Sequence, residues 1–438
     1  MIYQVELVCL KFDLSQLIVY NYSCKYLNRK EGRFMLYKAI TVSKRKLNKC
    51  IKRLIESEKS TTTVNRALRV RVYPTNRQKE IIDATLNCCR FVYNYMIDRN
   101  EKVYFRRKEH LNYNQMQNLL PHMKEYLRWL KDADSRALQY ACRQVDNAYK
   151  KFFKKQTGYP NFKRKRNPVQ SYTTASPSSI RYKKGKVRLP LLGNLLVRDR
   201  RLLPEGAIIC TATVTKDHEQ YYVSISYKYE KLIQPVKPTL QKSVGLDYKS
   251  NGLYMDSEGN CCAMPHYYQD MESKLAWEQH KLSRKVGSKK GDSISNNYKR
   301  QQRKLQKVSR HIANQRKDFL HKQSTLIAKK YDCVCVESLN MKAMSNKGFG
   351  NGKATMNNGY GMFLDMLDYK LQYQGKQLIK VDKWFPSSQL CSCCGYRNKR
   401  VKSLSITSWT CPMCRTHHNR DKNAAINILY RGLELITA

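Results

Sequence analysis

The chain has 438 residues, enough for several domains with real cores. Its 83 Lys and Arg against 34 Asp and Glu leave a net charge of +49, a self-repulsion best relieved by a polyanion, and nucleic acid is favoured over an anionic membrane surface. No uncharged run approaches transmembrane length, the start lacks a secretory pattern, and most of the 16 cysteines are scattered in apolar runs such as Val334-Cys335-Val336, which excludes a disulfide framework and points to a reducing cytosol.

Residues 1–60 read as an N-terminal extension, partly disordered, with Met35 an alternative start. Residues 66–73 alternate in the strand manner and Pro74 closes them. Thr75 with Gln78 forms a capping-box pattern, and Ile81, Ile82, Leu86, Cys89, Val92, Tyr93 and Met96 keep helical spacing. Further helix is expected through residues 119–123 and 135–153. Gly158-Tyr159-Pro160 ends this helical, basic, aromatic-bearing stretch.

The following segment places Lys163 and Arg164 before Gln170, Ser171, Thr173 and Thr174. Cations followed by small polar side chains suit phosphate and base-edge contacts, and equally suit a solvated linker. Strand signals then recur, with a hairpin of residues 208–214 and 221–227. With the early strand they predict one β-barrel carrying the helical stretch as an insertion.

After the linker Pro235-Val236-Lys237-Pro238, the strand Ser243-Val244-Gly245-Leu246-Asp247 carries an acid and Leu253-Tyr254-Met255 returns beside it. Residues 281–330 are strongly basic and read as long helices broken near Gly287 and Gly291; residues 331–337 form a buried strand ending in Glu337. Residues 348–353 are expected as a loop, 362–373 as an amphipathic helix and 377–381 as a further strand. Two Cys-x-x-Cys pairs, Cys391 with Cys394 and Cys411 with Cys414, have the spacing of one structural zinc held by four thiolates. Asp421 opens the last helix directly behind them.

Asp247, Glu337 and Asp421 alone would each read as a strand-end or helix-dipole residue. Together they fit a three-carboxylate site, because hard divalent ions need oxygens converging from different elements. Two Mg2+ ions there would hydrolyse a phosphodiester by in-line displacement. No Ser or Cys nucleophile stands in motif context, and no Walker-type glycine loop is present.

Four blocks carry a resemblance: Val244-Gly245-Leu246-Asp247, Val336-Glu337-Ser338-Leu339-Asn340, Trp384-Phe385-Pro386-Ser387-Ser388-Gln389-Leu390-Cys391, and Asn419-Arg420-Asp421-Lys422-Asn423-Ala424-Ala425-Ile426-Asn427-Ile428. They resemble the TnpB family of transposon-encoded RNA-guided DNA endonucleases, relatives of the type V CRISPR effectors. The resemblance spans roughly residues 60–438 and implies a multidomain α/β plus β-barrel protein. Its parts would be a RuvC-like, RNase H-type nuclease domain (240–386 and 416–438), an inserted zinc ribbon (387–415), a β-barrel wedge domain (61–75 and 161–232) and a helical recognition domain (76–160).

On the matching positions the resemblance makes Asp247, Glu337 and Asp421 the Mg2+ carboxylates, and Cys391, Cys394, Cys411 and Cys414 the Zn2+ ligands. The implied partners are a guide RNA from the transposon end and a double-stranded DNA target with a short flanking motif. A monomeric ribonucleoprotein in the prokaryotic cytosol, near the nucleoid and without membrane contact, is expected. Base pairing would then supply target sequence, and Lys163 to Thr174 would help read the flanking motif. The chain departs from the pattern at Lys249 and Arg415, where glycine is common, and Cys393 offers a spare thiol. His417 and His418 are expected on the loop surface. The competing readings are an RNA-guided DNA-binding repressor without cleavage and a transposase or transposition accessory protein.

Overall fold

The computed structural model describes residues 61–286, 293–346, 352–403 and 405–437, all within one compact unit, Lys59–Ala438. The N-terminal extension lies outside these residues.

Strand β1 (Thr61–Tyr73) begins five residues before the alternating run. Its threonine-rich start is held by an antiparallel ladder with β7 that runs from Thr61 opposite Leu232 to Val72 opposite Tyr221. Pro74 ends it, and Thr75 caps helix α1 (Asn76–Arg107) with the reciprocal Thr75–Gln78 bonds of a capping box. Helices α2 (Tyr113–Tyr126) and α3 (Ser135–Phe153) follow. The buried faces of α1 and α3, including Ile82, Leu86, Val92, Met96, Leu138 and Val145, join the sheet in a single core.

The chain returns to that sheet as β2 (Val169–Thr174), β3 (Arg181–Lys183), β4 (Lys186–Leu189), β5 (Gly193–Val197), β6 (Ile208–Asp217) and β7 (Gln220–Leu232). The seven strands order as β2-β6-β7-β1-β5-β4-β3. The expected barrel does not close: β2 and β3 are the two ends of the ladder, with no pairing between them among the described residues. Strand β3 has only three residues and β2 packs beside α3 and α1, so helices rather than a closing strand cover that edge.

The second sheet orders as β10-β9-β8-β11-β12. Strands β8 (Ser243–Tyr248), β11 (Cys333–Glu337) and β12 (Gln377–Val381) are parallel; β9 (Tyr254–Asp256) and β10 (Cys261–Cys262) are antiparallel additions. Side chains alternate across it. Val244, Leu246, Val334 and Val336 enter one core with helices α5 (Asn296–Lys330) and α8 (Tyr360–Gln372). Cys333 and Cys335 enter a separate core with Ile428 and Leu429 of helix α9 (Arg420–Thr437).

Helix α4 (Gln269–Ser283) pairs with α5, and Gln301 Nε2 donates to buried Glu278 between them. The expected break near Gly287 and Gly291 falls on residues outside the described set. Helix α6 (Met341–Met344) is short. The loop expected at 348–353 also falls partly outside, and from Gly352 the chain is already helical, as α7 (Gly352–Asn358). A two-stranded ribbon of β13 (Ser408–Thr410) and β14 (His417–Asn419) leads into α9. No helix among the described residues is long and apolar enough to cross a membrane.

Candidate active site and thiolate ribbon

The placement of the three acids begins with Gly245. It pairs with Cys335 across the parallel β8–β11 ladder, and α9 lies over this pair. A Cβ on Gly245 would overlap Ala425 O and stand 2.8 Å from Leu429 N; a Cβ on Gly432 would overlap Cys335 Sγ. Both glycines are therefore contact points where the helix backbone meets the sheet. From Gly245 to Asp247 is two strand residues, about 6.6 Å. From Ala425 back to Asp421 is four helical residues, about 6 Å. Helix and strand thus carry their acids a matching distance beyond the contact, and Glu337, two residues past Cys335, joins them on the same face.

All three acids line one cleft of about 870 Å3, walled also by Lys249, Lys383, Trp384, Arg397, Lys402 and Arg420. Burial, then the charges of Asp421 and Glu337, push the Asp247 carboxyl up to about 8, against the opposing pull of Arg420 and the Tyr248 backbone. Burial pushes Glu337 up to about 7. The fully buried Tyr360 hydroxyl has no hydrogen-bond partner. Among the described residues the cation ion-paired with this group is Lys249, whose Nζ stands 3.4 Å from Asp421 Oδ2. Three carboxylates brought from different elements into one cleft, with Lys249 and Arg420 beside them, fit a site for divalent cations.

In the ribbon, the ligand atoms of Cys391, Cys394, Cys411 and Cys414 all lie within 4.8 Å of one another. Sγ pairs stand 3.5 Å (Cys391–Cys414) and 3.6 Å (Cys394–Cys411) apart, close to the roughly 3.8 Å edge of a tetrahedral zinc–thiolate site. The two knuckles repeat one backbone pattern. Gly395 N donates to Cys391 O and Arg415 N to Cys411 O, each at 2.9 Å. Both Gly395 and Arg415 are left-handed, with φ of 75° and 61°; the arginine adopts this at a cost of about 1 kcal/mol that glycine avoids.

His418 corrects the sequence expectation. His417 is exposed, but His418 is buried, its ring 5.0 Å from that of Trp409 and its Nε2 3.0 Å from Cys391 Sγ. Pairing of β13 with β14 turns alternate side chains inward, which hides the second histidine of the pair. Cys393, Cys391 and His418 form a second convergent group sharing Cys391.

Two residues of the last motif, to which sequence reasoning gave no role of their own, join ribbon to helix. Buried Asn423 donates to Leu390 O (2.6 Å) and accepts from Ser392 N (3.0 Å), while Asn427 donates to Ser387 O and Leu390 O, each at 2.8 Å. Their signal was an amide pair at i, i+4 among apolar helix positions.

The expected nucleic-acid residues divide. Lys163, Arg164 and Ser171 are exposed. Lys163 Nζ lies 2.7 Å from Gln144 Oε1 and over the Tyr93 ring. Gln170 Nε2 donates to Lys165 O and Asn167 O, holding its own loop. Thr173 and Thr174 are buried, Thr173 bonded to Thr213 across the β2–β6 ladder, so neither hydroxyl is presented to solvent. A larger basic cleft of about 1030 Å3 was not anticipated. It is lined by Arg66, Arg69, Arg71, Arg310 and Lys317 with Tyr222, Tyr369 and Tyr373.

Three family models match along the chain. Residues 62–109 match a "Helix-turn-helix domain", 224–347 a "Probable transposase" of the OrfB_IS605 type, and 360–428 a "Cas12f1-like, TNB domain". The first covers β1 and α1, a strand and a single long helix in this chain. A Streptomyces pristinaespiralis protein named "Putative RNA-guided DNA endonuclease" is 33% identical over 375 residues, covering 84% of this chain and 90% of the relative. The Escherichia coli K12 "Putative RNA-guided DNA endonuclease InsQ" is 29% identical over 382 residues, covering 84% and 92%. Among solved structures, a Cas12f1–sgRNA–target DNA complex is similar at 13% identity and a TM-score of 0.48, covering 84% of this chain and 98% of that one. With a relative so similar over most of both chains, and family models falling on the acid strands and on the ribbon with its helix, the chain belongs to the TnpB family.

Proposed function

We propose that the protein is an RNA-guided DNA endonuclease, encoded by a transposon, that cuts target phosphodiesters at Asp247, Glu337 and Asp421. The observation that carries this reading is the convergence of these carboxylates, from β8, β11 and α9, in one cleft with basic walls. The names of the two relatives agree with it. Under this reading the mixed five-stranded sheet with α9 is an RNase H-type, RuvC-like domain. The split seven-stranded sheet (61–75 and 161–232) is the wedge, residues 76–160 the recognition domain and 387–415 a ribbon stapled by one Zn2+.

The three carboxylates would hold Mg2+, which when bound activates water and stabilises the leaving 3′ oxygen. The remaining work falls to the chain itself. Lys383, Arg397, Lys402 and Arg420 draw a phosphate backbone into the cleft. Trp384, 79% exposed at its wall, offers a flat face for an unpaired base. The second cleft, with cations interleaved among tyrosines, suits a nucleic-acid backbone. Guide RNA and target DNA are the proposed partners of a monomeric particle in the cytosol.

The test is cleavage of a plasmid carrying the target of the RNA that copurifies with the protein. D247N, E337Q and D421N should each lose cutting by about 10³-fold or more while keeping RNA and DNA binding; E337Q cutting at the wild-type rate would refute the site. Wild-type binding without cutting would leave the repressor reading, and strand transfer of transposon ends without RNA the transposase reading. Within this proposal, the exposed Lys163, Arg164 and Ser171 contact the flanking motif. Their joint replacement by alanine should change the preference in a randomised flanking library, and an unchanged preference removes them.

A further inference from the structure

Lys249 stands where the metal reading needs room. It lies two residues past Asp247, just beyond the end of β8. Its main chain is fixed: the carbonyl accepts from Gly252 N (3.2 Å) and from the side chain of buried Asn358 (3.3 Å), which also takes Ser250 O at 2.6 Å. The side chain lines the acid cleft, with Nζ 3.4 Å from Asp421 Oδ2. Both partners are about one-third exposed, 33% and 36%. They are sheltered enough for the charges to matter and open enough for the ammonium to leave. Among the described residues Asp421 has no other ion pair.

We propose that Lys249 is a resident counter-cation of Asp421, displaced when a divalent ion takes that carboxylate, and that it thereby weakens and tunes metal binding. The inference rests on the proposed metal site. A divalent ion bound to an Asp421 oxygen at about 2.1–2.5 Å would share its side of the carboxylate with a like charge. The ammonium must swing out, and its lost attraction to Asp421 subtracts from metal affinity. With the base of the side chain pinned by Asn358, the freed ammonium stays at the cleft wall.

The measurement is calorimetric titration of Ca2+ into the full-length protein bound to its copurified RNA, at fixed pH and ionic strength. K249M, which keeps the stem and loses the charge, should bind Ca2+ about tenfold more tightly than wild type. K249R should stay within about twofold. Without metal, K249M should melt below wild type, because Asp421 is then uncompensated, and the difference should vanish at saturating Ca2+. K249Q replaces K249M should the latter not melt cooperatively. Unchanged or weaker Ca2+ binding in the neutral variants overturns the proposal; slower cutting at unchanged affinity would mean that Lys249 touches nucleic acid instead. D421N separates the two levels: if it binds Ca2+ like wild type, the metal reading fails at Asp421 before Lys249 is in question.

Discussion

Replacing Gly245 by alanine adds one methyl group at the contact that sets the distance between Asp247 and Asp421. The new Cβ would overlap Ala425 O and come within 2.8 Å of Leu429 N and 3.0 Å of Leu429 Cβ. The first two are helix backbone, so no rotamer change relieves them. The helix must retreat by on the order of 1 Å to restore ordinary contact. Overpacking of this kind costs about 1–3 kcal/mol of stability. Asp421 lies one turn from the contact and moves with it, and a displacement of about 1 Å at a reacting centre costs about 10²-fold in rate. Single-turnover cleavage of a labelled duplex by RNA-loaded G245A should therefore fall about 10²-fold, with a cooperative melt at lower temperature. Gly432→Ala strains the same helix against Cys335, but eleven residues, roughly 16 Å, from Asp421. It should destabilise comparably and slow cutting less. A G245A protein that cuts within about twofold of wild type would refute the claim that helix-to-strand contact positions Asp421.

The carboxylates also predict a pH dependence. Asp247 and Glu337 are pushed up to about 8 and about 7 in the fold, against about 4 in the unfolded chain. Between these limits the native state binds more protons, so this contribution to stability is present at low pH and lost as pH rises from about 4 to about 8. The metal-free melting temperature should fall from pH 6 to 8.5, less steeply in D247N, and Ca2+ affinity should rise over the same range by up to about tenfold per pH unit for each proton released. A D247N slope equal to that of wild type would sink this assignment. In the ribbon, chelation of the proposed zinc should loosen the segment 387–392 and, through Asn423 and Asn427, the start of α9. Hydrogen exchange should show amides near Asp421 losing protection with the knuckles; protection retained after metal loss would mean the helix start is held by the sheet alone.

Much of the order along the chain was legible because it rests on local rules. The Thr75 capping box, the helical spacing of Ile82 to Met96 and the alternation of β6 and β7 each depend on a few neighbouring residues. Helix α3 occupies Ser135–Phe153 as expected, since its Asp134 cap and apolar stripe are both local. The failures involve distant partners. Thr61 to Asn65 become strand only because β7 extends opposite them. The barrel stays open because helices, which alternation within strands does not mention, cover its edge. Thr173 and Thr174 look like polar contacts in sequence and are buried by packing of α1 and α3 on β2.

The site was legible in its identities and not in its construction. Acids at a strand, a strand end and a helix start are visible one at a time, yet nothing local says that they meet. What brings them together is absence of side chain: Gly245 and Gly432 let α9 settle onto Cys335 and its neighbours, and a glycine in a sequence does not announce which backbone it admits. The same holds for polar groups that serve the architecture. Asn423 and Asn427 read as part of a motif, but their work is to satisfy the carbonyls of Ser387 and Leu390, which would otherwise be buried without partners where the ribbon departs from the helix. Cysteine knuckles and acid triad are therefore one mechanical unit. The four-cysteine cluster gathers the chain before α9, the amides fix α9 to that chain, and the glycines fix α9 to the strands that carry Asp247 and Glu337. A change at any of these joints should act on cutting through the position of Asp421, far more than through loss of a charge or a ligand.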